Sequence, residues 1–245
     1  MFYSLRRSLQ QLDDFYKNLD MEKNVPAQTL RLGPRFFPRY TAYTDHASNT
    51  TVEFEYLGPL TPSNKSPFLV KIKDSGEMAV VKFVARYGAD AHQALAEAGM
   101  APRLRFCGSL DGRDDVRDAP TESAKDVFGL HLGPLRMVVM DYVGGTHFEA
   151  LEEDQRPKDL HKKVKTMVSH LHSLNFVFGD LRPPNIMVSD GEVLLVDFDW
   201  AGKCGEVHYP DGLGEGITDH CKGKDFGVIE EQHDLDLLNH YFPKT

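Results

Sequence analysis

The feature that most constrains this chain is a polar, proline-stiffened stretch, Gly179–Val188, set between two apolar segments. The segments are Phe176–Phe178 before it and Val193–Val196 after it, and both have the composition of short buried strands. Within the stretch, Asp180 and Asn185 lie five positions apart, and two consecutive prolines restrict the backbone between them. Such a loop can aim the Asp180 carboxylate at a hydroxyl group while the Asn185 side-chain oxygen binds a hard cation. We interpret it as a candidate site because a plain turn would rarely have this whole pattern.

Two further charged residues lie on or directly after apolar strands. Lys82 lies inside Ala79–Ala85, where a lysine is costly to bury unless an anionic group accompanies it. Asp197 directly follows Val193–Val196, so a buried strand would deliver its carboxylate at the strand exit. Magnesium binds one or two carboxylates together with phosphate oxygens and water. Each residue also has an ordinary interpretation, a solvent-facing edge lysine for Lys82 and a turn or helix cap for Asp197.

Composition limits the classes of function. The formal net charge of −9 over 245 residues argues against sequence-independent binding of nucleic acid and against adhesion to an anionic membrane. No apolar run approaches the length of a membrane span, and the N-terminus lacks the apolar core of a secretory signal. Three cysteines form no disulfide framework and suit a reducing compartment. We therefore expect a cytoplasmic or nuclear protein that is not secreted and has no nucleic-acid or membrane partner.

The order of predicted elements divides the chain into three parts. Residues 1–40 comprise an amphipathic helix at 3–20 and a proline-containing connector. Residues 41–143 combine a helix at 89–98 with runs rich in β-branched and aromatic residues, which predict strands. These runs are Thr51–Tyr56, Phe68–Ile72, Ala79–Ala85, Leu104–Cys107 and Met137–Tyr142.

The third part, residues 144–245, begins at a glycine pair and is predicted to be richer in helices. An apolar stripe that ends at Leu174 predicts a helix over 158–174, and Glu230–Tyr241 forms a last helix. The acidic, proline-containing stretch at 111–127, in the preceding part, has the composition of a solvated loop.

Taken together, the charged segments resemble the motifs of the eukaryotic protein kinase superfamily. Those motifs are a lysine in V-A-I-K, then H-R-D-L-x-x-x-N, then D-F-G. Here they read VVKF at Lys82, GDLRPPN around Asp180 and DFD at Asp197, in the same order and spacing. Gly179 before the aspartate resembles the aminoglycoside- and choline-kinase-like phosphotransferases of that superfamily. The stretches VVKFVARYGADAHQALAEAGMAP and VDFDWAGK resemble kinase-like proteins that are abundant in mushroom-forming fungi.

This resemblance implies an α+β, two-lobed protein-kinase-like fold. The N-lobe would be a small antiparallel β-sheet with one helix, and the C-lobe would be shortened and mostly helical. The implied function is an ATP- and Mg²⁺-dependent phosphotransferase, with a protein or a small molecule as the acceptor. Lys82 would hold the α- and β-phosphates, Asp180 would orient the acceptor hydroxyl, and Arg182 would stabilise charge on the transferred phosphoryl group. Magnesium would be held by Asn185 and Asp197.

The resemblance also assigns roles outside the charged motifs. The segment Val138–Gly145 resembles the hinge strand that joins the two lobes of a kinase. Met140 would be the gatekeeper residue, and Asp141 to Val143 would lie along the adenine edge. Asp234 resembles the buried aspartate that ties down the catalytic loop.

The sequence departs from the kinase pattern at several positioning elements. No G-x-G-x-x-G occurs in the expected phosphate-covering region, Tyr56–Ser66, and Asp199 replaces the last glycine of D-F-G. The helix glutamate that should pair with the lysine is missing. His92 falls at that position, and Asp90 and Glu97 are acidic alternatives. A second hypothesis therefore stays open, a pseudokinase that acts as a nucleotide-binding or scaffolding module, and the sequence does not decide the oligomeric state.

Overall fold

The computed structural model describes Pro38 and residues 40–45, 48–60, 67–110 and 135–244. The predicted N-terminal helix at 3–20 and the acidic stretch at 111–127 lie outside the described residues. Residues 61–66, which form the second half of the expected phosphate-covering loop, lie outside them as well.

A six-stranded antiparallel sheet occupies the first half of the described chain. Its strands are β1 (Ala42–Asp45), β2 (Thr50–Pro59), β3 (Phe68–Ile72), β4 (Met78–Val84), β5 (Leu104–Ser109) and β6 (Arg136–Asp141). They pair in the order β1-β2-β3-β4-β6-β5. The sheet contains all five predicted strands; Phe68–Ile72 has the predicted ends, and the ends of the others differ by at most three residues. Strand β1 was not predicted because it is only four residues long and Tyr43 is its one fully buried side chain.

A tight turn joins β3 to β4, as the sequence predicts. Gly76 has a φ of 73°, in the left-handed region that favours glycine, and its N–H donates to the Ile72 carbonyl at 2.9 Å. Strand β4 also pairs with β6 on its other side, so it lies in the interior of the sheet. This position sets Lys82 opposite Val138, away from any sheet edge.

One helix, α1 (Ala89–Glu97), packs against the sheet and confirms the helix predicted at 89–98. It begins after Gly88 and ends before Gly99, whose φ of 71° suits a residue without a side chain. Its buried face consists of Ala91, His92 and Leu95.

The second half combines helices with short strands. These elements are β7 (Thr146–His147), α2 (Leu160–Ser173), β8 (Phe176–Val177), β9 (Ile186–Ser189), β10 (Glu192–Leu195), β11 (Gly202–Lys203), α3 (Glu215–Thr218) and α4 (Glu231–Tyr241). The strands pair as β10-β9-β7 and as β11-β8. In the part of the chain that the structure describes, no helix has the length and apolar character needed to cross a membrane.

Helix α2 buries the apolar stripe that the sequence predicts. Its buried members are Leu160, Val164, Met167, Val168 and Leu171. Leu174, the predicted last member, is 47% exposed, so that part of the prediction is wrong. The helix ends at Ser173, and Asn175 takes a left-handed φ of 61°, which turns the chain away from the helix axis.

Strand β6 contributes to two apolar cores, one on each face of the sheet. Met137 and Val139 point into a cluster that covers one face, together with Phe54 and Val70. The alternate residues of β6, Val138 and Met140, join a second cluster that contains α1 and continues through α2 and α4. Because this second core is continuous, the sheet and the helical half pack as one structure. The result is the predicted two-lobed α+β architecture.

We predict that Gly88→Ala destabilises the fold. An added Cβ at this position would lie 2.4 Å from the Ala201 carbonyl oxygen, which belongs to backbone and cannot rotate away. Overpacking of this kind costs about 1–3 kcal/mol of unfolding free energy, measurable by urea denaturation. Gly214→Ala is the matched control, because no atom lies within 4 Å of its added Cβ. Equal stability of the two variants would contradict the prediction.

Candidate active site

Lys82 lies at the centre of a three-charge cluster. Its Nζ is 2.8 Å from Asp197 Oδ1 and 2.7 Å from Asp199 Oδ1, and its side chain is only 13% exposed. Burial alone would lower the pKa of Lys82, but the two carboxylates outweigh burial and raise it, so the lysine stays charged. The alternative interpretation of Lys82 as a solvent-facing edge lysine is therefore wrong.

The segment Asp197–Asp199 is held by the phenylalanine at its centre. Phe198 is fully buried and stacks on His92 with ring centroids 4.4 Å apart. Phe178 contacts it edge-on at 5.3 Å. Asp197 has a φ of 69°, a left-handed conformation that costs free energy for a residue with a side chain. The buried ring keeps the backbone in this conformation and directs both flanking carboxylates toward Lys82.

The cluster carries more negative than positive charge. Burial, followed by repulsion from Asp197, raises the pKa of Asp199 to about 6 even though Lys82 attracts its charge. Two carboxylates face one ammonium group, so the ionised cluster has an excess of one negative charge. The Asp197 side chain is 45% exposed and is the most accessible of the three. The cluster can therefore accept a cation on its Asp197 side.

A second cluster forms on the loop before β9. Asp180, which is buried, accepts hydrogen bonds from the Arg182 guanidinium and from Asn185 Nδ2, the latter at 2.9 Å. Asn185 Nδ2 also donates to the Asp180 carbonyl at 2.8 Å. These bonds fix the amide so that its nitrogen faces Asp180, and no donor among the described residues bonds to its oxygen. The amide oxygen is left available to a cation.

The β9–β10 hairpin brings the two clusters together. Ile186 pairs with Leu195, and the Val196 N–H donates to the Asn185 carbonyl at 3.0 Å. Asn185 directly precedes β9 and Asp197 lies two residues after β10, so both lie at the same end of the hairpin. Hydrogen bonds to Asp180 are the main cause of the raised pKa of Arg182, and the Asp197 carboxylate raises it further. The two clusters are thus within electrostatic reach of each other.

A buried aspartate on α4 anchors the backbone directly before Asp180. Asp234 is fully buried and accepts the backbone N–H groups of Phe178 at 2.8 Å and Gly179 at 2.7 Å. His172 Nε2 lies 3.0 Å from the same carboxylate. Gly179 has a φ of 79°, which fits the glycine found there. The predicted structural role of Asp234 is confirmed.

The residues expected along the adenine edge lie at the end of β6. Met140 is buried between Val80 and Leu104 on the neighbouring strands. The Asp141 carboxylate forms ion pairs with Arg103 and Arg105, so its side chain is engaged within the sheet.

Val143 follows the strand and is half-buried. Its backbone N–H has no hydrogen-bond partner among the described residues. The exit of β6 therefore offers a backbone donor beside the buried Met140 side chain.

The expected partner of Lys82 on the helix is not found. His92 is fully buried, and its ring nitrogens lie 2.7 Å from the Tyr87 hydroxyl and 2.8 Å from the Pro102 carbonyl. Burial lowers the pKa of His92 to about 4, so it is neutral near pH 7. Asp90 and Glu97 are exposed, and Glu97 bonds to Gln93 on the same helix. The predictions that one of these three residues pairs with Lys82 are therefore wrong in this structure, and two carboxylates of the DFD segment fill that role.

Sequence reasoning missed Asp199 as a partner of Lys82. It was interpreted only as the replacement of a glycine. A usable signal was present, because a second carboxylate two residues after Asp197 is close enough to share the same lysine, and α1 offers no acid on its buried face.

Comparison with known proteins finds similarity over part of the chain. The family model described as RIO domain matches residues 135–209, which is less than half of the chain. The serine/threonine-protein kinase Sgk1 of Fundulus heteroclitus is 36% identical over 81 residues, covering 30% of this chain and 18% of that protein. The serine/threonine-protein kinase PknG of Mycolicibacterium smegmatis is 26% identical over 83 residues, covering 32% and 11%. The chain thus matches less than a fifth of the length of these relatives.

A solved structure is similar over about three quarters of this chain. The Cydia pomonella granulovirus kinase PK-1 matches with a TM-score of 0.52 at 17% identity, covering 76% of this chain and 65% of that one. This confirms the predicted protein-kinase-like fold, and the sequence matches support a place in the protein-kinase-like superfamily. The finer resemblance to fungal and to aminoglycoside- or choline-kinase-like proteins stays a prediction.

We predict that Asp234→Asn lowers the unfolding free energy. The substitution removes a buried carboxylate that satisfies two backbone N–H groups, so about 3 kcal/mol should be lost. Urea denaturation measures the change. Asp236→Asn on the same helix is the control, because Asp236 is partly exposed and bonds only to Gln232 at 2.7 Å among the hydrogen bonds described. A loss no larger than that of the control would refute the anchoring role.

A second prediction concerns pH. An ordinary aspartate has a pKa of about 3.9, so the folded chain binds a proton at Asp199 more readily than the unfolded chain from that pH up to its folded pKa. The unfavourable contribution of the Asp199 charge is therefore fully present above about pH 6 and disappears toward about pH 4. As the pH rises from about 4 to about 6, the unfolding free energy of Asp199→Asn should therefore increase by about 1 kcal/mol relative to that of the parent, after allowance for solvent screening.

Urea unfolding at a series of pH values, without divalent cations, measures this difference. Asp211→Asn, at an exposed aspartate, is the control and should follow the parent at every pH. Parallel stability curves for Asp199→Asn and the parent would contradict the pH prediction.

Proposed function

We propose that this chain, which has the protein-kinase-like fold, is an ATP- and Mg²⁺-dependent phosphotransferase that acts on an alcohol group. The observation that carries the proposal is the β9–β10 hairpin, which aligns Asn185 and Asp197 at one end. Lys82 reaches the same point from the sheet, at 2.8 Å from Asp197. Asp180 lies on the adjoining loop. Metal ligands, phosphate ligand and candidate base would thus border a single cleft.

The donor set fits magnesium. Asn185 offers an amide oxygen that no described donor occupies, and Asp197 offers an accessible carboxylate in a cluster with excess negative charge. Hard cations such as Mg²⁺ prefer oxygen ligands of these kinds. A magnesium ion held by Asn185 and Asp197 would neutralise negative charge on the phosphate groups.

Lys82 would bind the α- and β-phosphates of ATP. Its low exposure places the ammonium group where water screens it little, so its attraction for phosphate is strong. The backbone N–H of Val143, which has no partner among the described residues, and the apolar side chain of Met140 suit the edge of an adenine ring. Asp141 would contribute through its backbone only, because Arg103 and Arg105 bind its carboxylate.

Asp180 would orient the acceptor hydroxyl. The acceptor oxygen would attack the γ-phosphorus, the bond to the β–γ bridging oxygen would break, and the hydroxyl proton would pass to Asp180. Arg182 pairs with this carboxylate, and its side chain is 41% exposed. It can therefore turn toward the transferred phosphoryl group and stabilise its charge.

The alternative function is a pseudokinase that binds nucleotide or a partner without turnover. The observation that favours it is that the buried face of α1 carries no acid, since kinases use a helix acid to hold the lysine. Both functions predict nucleotide binding, and only the phosphotransferase predicts turnover. The acceptor, a protein or a small molecule, belongs to the phosphotransferase proposal and is open.

The proposal predicts separate effects for two substitutions. Asp180→Asn should reduce Mg²⁺-dependent ATP turnover by about 100-fold or more while ATP affinity stays within about threefold, because the base contributes to chemistry and not to binding. Asp197→Asn should remove the Mg²⁺ dependence of ATP binding. Turnover is measured by phosphate release and by phosphorylation of metabolite and peptide libraries, and affinity by calorimetry.

Asp211→Asn, at an exposed aspartate outside the cleft, is the matched control and should leave both quantities unchanged. Equal turnover in the parent and Asp180→Asn would reject the assigned base. Tight Mg²⁺–ATP binding with no turnover in the parent would favour the pseudokinase.

A further inference from the structure

Lys82 faces a conflict if the proposed function holds. In the nucleotide-free structure it is shared by Asp197 and Asp199. Asp197 is the proposed magnesium ligand, and a carboxylate that binds a metal is a weaker partner for an ammonium group. Lys82 then needs another anion to keep it extended toward the phosphates, because a partly buried lysine is costly without one.

Helix α1 cannot provide this anion. Both ring nitrogens of His92 have partners, and its ring is stacked on Phe198. One helical turn earlier on the same face is Gly88, the residue before the helix. A side chain at Gly88 would collide with the Ala201 backbone, whose carbonyl oxygen would lie 2.4 Å from its Cβ. A side chain at Gly88 is therefore excluded, and the buried face of α1 (Ala91, His92 and Leu95) carries no acid.

A second backbone contact of Gly88 helps to position a different acid near the lysine. The Gly88 N–H donates to the Phe198 carbonyl at 2.9 Å, which fixes the peptide directly before Asp199. Asp199 has no positive φ, so the backbone at this position does not require a glycine. Its carboxylate is 2.7 Å from Lys82 Nζ and is less exposed than that of Asp197, at 35% against 45%.

We propose that Asp199 is the positioning residue that holds Lys82 in place of a helix acid, which leaves Asp197 free to bind the metal. This inference rests on the proposed function for its consequence in nucleotide binding. The ion pair itself can be tested without nucleotide.

The first experiment uses the nucleotide-free protein. Lys82 is labelled with an amine-reactive reagent, and its labelling rate is followed by mass spectrometry. Asp199→Asn should raise the rate by about three- to tenfold, because loss of one of its two carboxylate partners frees the amine. Lys73, which pairs with Glu53 at 2.7 Å, is the internal control and should keep its rate. An unchanged rate at Lys82 would overturn the proposal.

The second experiment compares ATP with adenosine. Asp199→Asn should weaken Mg²⁺–ATP binding by about tenfold, a typical loss for a charge-assisted contact, and leave adenosine affinity within about twofold. Asp199→Gly restores D-F-G and should weaken ATP binding equally, whereas Asp199→Glu should recover part of it. If Asp199 only occupies a glycine position, Asp199→Gly will bind ATP as well as the parent or better, and the proposal fails.

A double-mutant cycle shows whether Asp199 acts through Lys82. In a Lys82→Met background, Asp199→Asn should cause no further loss of ATP affinity. Additive losses would assign Asp199 a separate role and overturn the proposal. If the parent binds no ATP, the proposed function fails, and the labelling rate alone decides whether Asp199 holds Lys82.

Discussion

The burial of Phe198 is the constraint on which the rest of the site depends. Its ring packs between His92 of helix α1 and Phe178 of the loop segment before Asp180, so it joins elements that are distant in sequence. A side chain fixed in this way leaves the residues on either side little freedom. The left-handed backbone of Asp197 and the direction of Asp199 both follow from it. The charged cluster is therefore placed by apolar packing, and its charges do not have to hold the fold together.

This arrangement stores unfavourable electrostatic energy at the site. Two carboxylates share one lysine, and burial and repulsion from Asp197 raise the pKa of Asp199. Ionisation of the second carboxylate is therefore unfavourable in the folded chain. A protein selected only for stability would lose one of these acids. Retaining both acids is what the proposed function would require, because a bound cation would offset the excess negative charge.

Much of the fold and part of the site could be predicted from the sequence because the signals are local. Strand composition located five strands of the sheet, and the loop around Asp180 and the strand exit at Asp197 each lie within a few residues. The pairing of Lys82 with Asp199 spans 117 positions, and its only local signal is a second carboxylate two residues after Asp197. The predicted role of His92 was wrong because a position in the sequence does not fix which face of a short helix meets the lysine. The helix buries His92 against Phe198, and Lys82 pairs instead with Asp197 and Asp199.

Two departures from the kinase pattern at this site are linked in our proposal. The buried face of helix α1 carries no acid, and the residue before the helix, Gly88, has no room for a side chain beside Ala201. The anion beside Lys82 comes instead from the segment after Asp197, where Asp199 occupies the position of the kinase glycine. Loss of the helix acid and replacement of the glycine therefore compensate each other in charge and in geometry. The absence of the helix glutamate, taken alone, is not an argument against catalysis.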